Sequence, residues 1–153
     1  MERTLVILKP SAIERGLIGE TIRRFERKGL QLAGMKMVHL DDNILDIHYV
    51  HLKEKSFFYE VKDSMKRCPV VVQCWQGVDV ASVVRLIIGV TNGRNAKLGT
   101  IRGDFSVSAQ ENIVHASDSK ASAEVEIKRF FKENELFDYN LSSFSCLYAE
   151  SER

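Results

Sequence analysis

The chain has 153 residues, with 22 Lys and Arg against 21 Asp and Glu, a formal net charge of +1. Hydrophobic residues make up 44%, with only 9 glycines and 2 prolines, which excludes a disordered, linker-like or collagenous chain. The near-neutral balance supplies no global field for nucleic acid or a membrane. Any positive charge used on an anionic ligand must therefore be gathered locally by the fold.

The length fits one domain, 1–153, with 140–153 as a C-terminal tail. Residues 4–9 form a short β-branched and leucine-rich run stopped by Pro10, which predicts a buried strand. Residues 16–28 place Ile18, Ile22 and Phe25 at helical spacing, with Arg23, Arg24, Arg27 and Lys28 late and Gly29 as the stop. A second strand spans 30–40. Asp41 or Asp42 caps a helical segment through Ile44, Leu45 and Tyr49, and a further helix covers 57–66. The valine-rich run 69–75 predicts a third strand, and 79–88 a helix closed by Gly89. Residues 91–110 read as one long irregular loop, a feature that is usually functional. A brief fourth strand at 112–115 and a helix at 119–131 follow, and the Ser-rich tail after Tyr139 shows no period.

This order predicts an α+β fold: a ferredoxin-like βαββαβ sandwich, its four-stranded antiparallel sheet carrying helices on one face, with an inserted helical hairpin. Cys68, Cys74 and Cys146 lack any C-x-x-C spacing, as expected of reduced thiols in a cytoplasmic protein. The apolar stretch 69–90 is interrupted by Gln73, Gln76, Asp79 and Arg85, so no membrane span is expected.

No P-loop and no G-x-G-x-x-G is present. The G-x-x-G at 16–19 has the spacing of an RNA-clamping loop, but it opens a helix after a strand, which does not match that topology. His48 and His51 read as solvated helix positions, and His39 carries no partner signal. His115 differs. It ends a strand and immediately precedes Ser117, Asp118 and Ser119 at a helix start, where free N–H groups favour phosphate. Two readings stand: a histidine near an N-cap, or a nucleophile oriented by a carboxylate such as Glu126. Arg94 and Arg102 lie on glycine-framed loop segments and are either solvated or a fork for phosphate oxygens. Arg85 points the same way if it faces the loop. Lys9 ends a buried strand, where a cation costs free energy unless it finds an anion.

Residues 112–119, Asn-Ile-Val-His-Ala-Ser-Asp-Ser, resemble the active-site signature of the nucleoside diphosphate kinase family. Residues 99–105, Gly-Thr-Ile-Arg-Gly-Asp-Phe, resemble another segment of that family, and 4–19 with Lys9-Pro10 resemble its first strand and helix. Tyr49, Phe57-Phe58, Pro69-Val70-Val71 and Thr91-Asn92 fall in the family's order, so the resemblance covers 2–139. It implies transfer of the γ-phosphoryl group of a nucleoside triphosphate, mainly ATP, to a nucleoside diphosphate, ping-pong through a phosphohistidine, maintaining nucleoside triphosphate pools. By resemblance His115 is the phospho-acceptor, and Glu126 and Ser117 orient it. Lys9, Tyr49 and Asn112 contact the sugar or phosphates, Arg85, Thr91 and Arg102 hold the diphosphate, and Phe57 stacks on the base. Mg²⁺ travels with the nucleotide and no protein cage holds it. A homo-oligomer is implied, a hexamer in preference to a tetramer because of the extended C-terminus, with Phe144, Leu147 and Tyr148 needing cover within the subunit or across an interface. Nucleic acid is not expected as the main partner. The alternative is a catalytically silent regulatory or nucleic-acid-binding module on the same fold.

Three departures from the family pattern stand out. Ser11-Ala12 replaces Asp-Gly, and Ala116 replaces a glycine beside the histidine. Gly93 and Leu98 stand where two prolines are usual, which predicts a more flexible loop.

Overall fold

In the computed structural model, which describes residues 1–152, four strands form one antiparallel sheet in the order β2-β3-β1-β4. The elements are β1 (Glu2–Leu8), α1 (Pro10–Glu14), α2 (Ile18–Arg27), β2 (Gln31–Val38), α3 (Asp42–His48), α4 (Phe58–Lys66), β3 (Val70–Gly77), α5 (Val80–Ile88), α6 (Ile101–Phe105), β4 (Val114–Ala116), α7 (Lys120–Phe130) and α8 (Phe144–Leu147). Short 3-10 turns at Val50–Leu52, Gly93–Asn95, Glu133–Glu135 and Glu150–Glu152 complete it.

Helices cover both faces of the sheet, not one as the strand-and-helix order suggested. Leu5 and Ile7 of β1 pack with Val70, Val72 and Cys74 of β3 under α3, α4 and α7, through Leu45, Met65 and Ile127. Val6 and Leu8 point the other way, joining Val71 and Trp75 beneath α2 and α5 through Phe25, Val80, Val84 and Ile88. The cause is visible in β1 and β3, which are apolar at successive positions. Side chains alternate across a strand, so such a run has two faces to bury. The inserted pair α3–α4 and the last long helix α7 cover the second one.

Local chemistry sets the ends of these elements. Asp41 accepts from the Ile44 backbone N–H at 2.9 Å and caps α3, and Ser119 accepts from Ser122 N–H at 3.1 Å and caps α7. Gly29, at φ 93°, ends α2, and Leu30 N–H reaches back to Phe25 O at 3.1 Å. Strand β4 runs Val114–Ala116, two residues later than its start was expected, because Ile113 turns the chain.

Two further expectations are corrected, and one alternative left open is answered in part. Pro10 starts a helix of its own, α1, its fixed φ suiting the first helical turn. The stretch 91–110 is not structureless. Thr100 caps α6 by accepting from Gly103 N–H at 3.0 Å, Gly93 N–H donates to Ser108 O at 3.0 Å, and Arg94 donates to Val107 O at 3.1 Å. These bonds hold the loop that the missing prolines were expected to loosen. A proline at 93 would also lack the N–H that Ser108 receives. Finally, the tail contains α8. Leu147 packs against Gly29, and Tyr148 Oη accepts from Val78 N–H at 3.4 Å, so the subunit itself covers part of its apolar tail.

Candidate functional site

Lys9, Tyr49, Phe57, Arg85, Thr91, Arg102, Asn112, His115 and Glu126 all line one open cavity of about 750 Å³, a size that suits a small-molecule ligand. Ser117 stands directly behind Glu126. The site gathers the ends of β1, α5 and β4, the start of α7, the loop of α6 and the turn before α4. Its cations come from three distant parts of the chain.

His115 lies on β4, paired with Ile7 of β1. Its Nε2 faces Glu126 Oε2 at 3.3 Å, and the same oxygen accepts from Ser117 Oγ at 2.5 Å. Ser117 is fully buried. Burial alone would raise the Glu126 carboxyl, but the hydrogen bonds and charge of His115 and Ser117 prevail and hold it well below the usual carboxylate range. An ionised Glu126 fixes the proton on Nε2, so Nδ1 carries the lone pair.

Asn112 sits beside a strained turn. Ile113 has φ 72°, and Val114 N–H donates across it to Asn112 O at 2.8 Å, a γ-turn of the rare positive-φ kind. For a β-branched residue this conformation costs about 1–3 kcal/mol. Arg102 clamps it from behind. Its Nε donates to Asn112 O at 3.2 Å, Nη2 to Val114 O at 2.6 Å and Nη1 to Gly89 O at 2.9 Å. Asn112 Nδ2 is spent on the carbonyls of Thr91 at 3.0 Å and Ala109 at 2.8 Å. Its Oδ1 is buried with no partner among the described residues, and so is the Tyr49 hydroxyl. Thr4 Oγ1, Ser11 Oγ, His48 Nε2 and Gln73 Nε2 are likewise without a partner among those residues, but Asn112 and Tyr49 line the cavity, where a ligand or ordered water can satisfy them.

The electrostatics favour an anion. Burial and then the Arg102 charge pull the Lys9 ammonium down to about 8, against a smaller opposing effect of Glu111. Burial and Arg85 lower Arg102 to about 10. Both cations lack partners sufficient for their charge: Lys9 Nζ donates to Gln110 O at 3.1 Å, and Arg102 bonds only neutral carbonyls. A polyanion would relieve both.

An apolar slot forms the opposite end. Phe57, exposed at the cavity rim, stands one helical turn from Val61, with Leu52 beside them.

As for metals, His48, His115 and Glu126 each bring one ligand atom within 4.8 Å of the others. Two of the three are committed elsewhere: Glu126 Oε2 accepts from Ser117 and faces His115 Nε2, and His48 Nδ1 accepts from Arg129 at 3.0 Å. The other carboxylate lining the cavity is Asp118, so among the described residues the cavity offers no oxygen cage of the kind a hard dication prefers.

Several lining residues are not singled out in the sequence as part of a site: His51, Leu52, Val61, Ala109, Gln110 and Ser122. Val61 could have been found from its four-residue spacing to Phe57. The others carry no local signal. The sequence reading also misplaces His48, which is not solvated but 4% exposed, its ring packed on that of His115 at 4.5 Å. His115 of β4 and Phe130 of α7, at 4.5 and 5.3 Å between ring centroids, enclose the His48 ring at the end of α3.

A family model described as nucleoside diphosphate kinase matches residues 2–136. A nucleoside diphosphate kinase of Parabacteroides distasonis is 64% identical over 152 residues, covering 99% of each chain. One from Pyrococcus abyssi is 50% identical over 141 residues, 90% of this chain and 89% of that one. Among solved structures, a halophilic nucleoside diphosphate kinase from Halobacterium salinarum in complex with CDP has a TM-score of 0.95 at 35% identity, over 97% of this chain and 99% of that one.

Proposed function

The chain belongs to the nucleoside diphosphate kinase family, and we propose that the phosphoryl group it moves from a nucleoside triphosphate to a nucleoside diphosphate travels through His115. The observation that carries this is the His115–Glu126–Ser117 array at the floor of a cationic cavity. Glu126 holds Nε2–H, so His115 Nδ1 attacks the γ-phosphorus. A P–N bond forms as the bond from phosphorus to the β,γ-bridging oxygen breaks. The electron pair leaves on that oxygen with the departing diphosphate. The phosphorylated ring is cationic, and the Glu126 carboxylate offsets that charge. A second diphosphate then binds the same cavity and reverses the step.

The surrounding residues align and neutralise, which is most of what phosphoryl transfer requires. Lys9, Arg85 and Arg102 oppose the charge of the phosphate chain, Arg102 with the N–H groups its backbone bonds leave over. Thr91 lies at the phosphate end. Asn112 Oδ1 and the Tyr49 hydroxyl take partners from the sugar or the transferring group. Phe57 stacks on the base with Leu52 and Val61, reading a π-face and not an edge pattern, so base choice is loose.

The reaction uses a divalent metal, which we take to be Mg²⁺ carried on the nucleotide phosphates. It would screen their charge, and the absence of a carboxylate cage from the described cavity residues fits that mode of arrival. No helix among the described residues is long and apolar enough to cross a membrane, and we place the protein in the cytoplasm, where Cys68, Cys74 and Cys146 stay free thiols. We further propose a homo-oligomer, a hexamer in preference to a tetramer. Met35 and Met37, 49% and 56% exposed on edge strand β2, favour a contact between copies. A catalytically silent module is not favoured, since the sequence-expected residues converge on one cavity.

The test is a chase. Protein incubated with γ-labelled ATP and freed of nucleotide should pass its label to added GDP in one turnover. Failure to retain label before GDP is added contradicts a covalent relay.

A further inference from the structure

Arg129 lies three residues beyond Glu126 on α7, a spacing at which an arginine ordinarily folds back onto the carboxylate. Here it does not: among the described residues Arg129 makes no ion pair with Glu126, and its Nη1 donates to His48 Nδ1 at 3.0 Å. Arginine has no acceptor, so Nδ1 of His48 must carry the lone pair and Nε2 the proton. Burial, and then the neighbouring His115, keep His48 from taking a second proton. Its ring is wedged edge-on between His115, at 4.5 Å and 75°, and Phe130, at 5.3 Å and 85°. Glu126 Oε1 is 4.0 Å from that same Nδ1. A neutral acceptor thus stands between the guanidinium and the carboxylate that serves His115.

We propose that His48 is a positioning residue for phosphoryl transfer: by accepting Arg129 on Nδ1 it keeps that cation off Glu126 and leaves the carboxylate to hold His115. The inference rests on His115 being the phospho-acceptor. Without His48, Arg129 is free to claim Glu126, a charge-assisted bond stronger than the one His115 offers when neutral. Nε2 of His115 then loses its fixed proton, and its ring the orientation required for in-line attack. Tyr49, whose ring lies 4.8 Å from that of His48, keeps its packing when an aromatic ring fills the position, so nucleotide binding changes less than transfer.

His48→Phe fills the same space but cannot accept from Arg129. It is expected to lower kcat about 10- to 100-fold, the cost of a small misplacement of a reacting group, with KM changed less than about threefold. Adding Arg129→Met to His48→Phe should recover most of the loss, because the competing cation is gone. His48→Asn, whose carbonyl can accept from Arg129, should stay well above His48→Phe. The ¹⁵N resonances of His115 should show the Nε2-protonated tautomer in the wild type and lose it in His48→Phe. Wild-type kcat in His48→Phe, or a loss that Arg129→Met does not relieve, overturns the proposal. Should His48→Phe fail to fold, His48→Ala with and without Arg129→Met is read the same way. A wild-type protein that acquires no phosphate at His115 would instead contradict the relay itself, so the two failures are distinguishable.

Discussion

Lys9 sits at the mouth of β1 beside a second buried cation, and its ammonium titrates near 8 in the folded chain against 10.5 unperturbed. The unfolded chain therefore binds this proton more tightly than the folded one. The resulting cost is fully present below about pH 8 and fades as pH rises toward 10.5. Lys9→Met should abolish transfer while raising the unfolding free energy at pH 7 by about 1 kcal/mol, a trade common at functional sites. Denaturant unfolding at pH 7 and pH 10.5 checks it: the gain should shrink at the higher pH, and a variant less stable than wild type at pH 7 would contradict the account. The residues that converge on the cavity were largely singled out in the sequence, because His115, Asn112 and Arg102 lie inside long segments whose order is distinctive. What a single residue bonds to was not. Nothing in the sequence says that Arg102 spends three donors on the carbonyls of a strained turn, or that His48 is buried on His115. Both depend on partners 10 to 81 positions away in the chain.

At the scale of elements, the turn before α4 builds the apolar slot proposed for the base. If Phe57 stacks as proposed, its ring serves any base, since every base has a π-face worth about 1–3 kcal/mol in stacking. Phe57→Ala should raise KM about tenfold for both purine and pyrimidine diphosphates, leaving their ratio within about threefold. Steady-state kinetics with GDP and CDP decides this, and a penalty confined to one base class would show that edge contacts do the reading. The longer elements were readable from periodicity, as in α2 with Ile18, Ile22 and Phe25. The short ones were not. Helix α6 has five residues and depends on the Thr100 cap, and α8 has four and is placed by Leu147 against Gly29. Pieces of this length have no period to detect and owe their form to tertiary contacts.

For the whole molecule, the +1 balance conceals a cluster of Lys9, Arg85 and Arg102 around one cavity. The rest of the surface stays mixed, which suits a protein that binds small polyanions and not long ones. The antiparallel sheet and inserted hairpin follow from the element order; that both faces are covered does not, although the consecutive apolar residues of β1 and β3 call for it, because only docking shows that α3, α4 and α7 take the second face. Assembly belongs to this scale as well. Multi-angle light scattering should give a homo-oligomer, six subunits in preference to four, and a monomer at working concentration would remove the role assigned to Met35 and Met37.

The relay through one histidine is the claim on which the rest depends. The most direct measurement is the identity of the labelled residue after incubation with γ-labelled ATP. Wild-type protein should carry an acid-labile, base-stable phosphate on His115, and His115→Ala should carry none and turn over no nucleotide. Label and turnover that survive in His115→Ala would contradict the account.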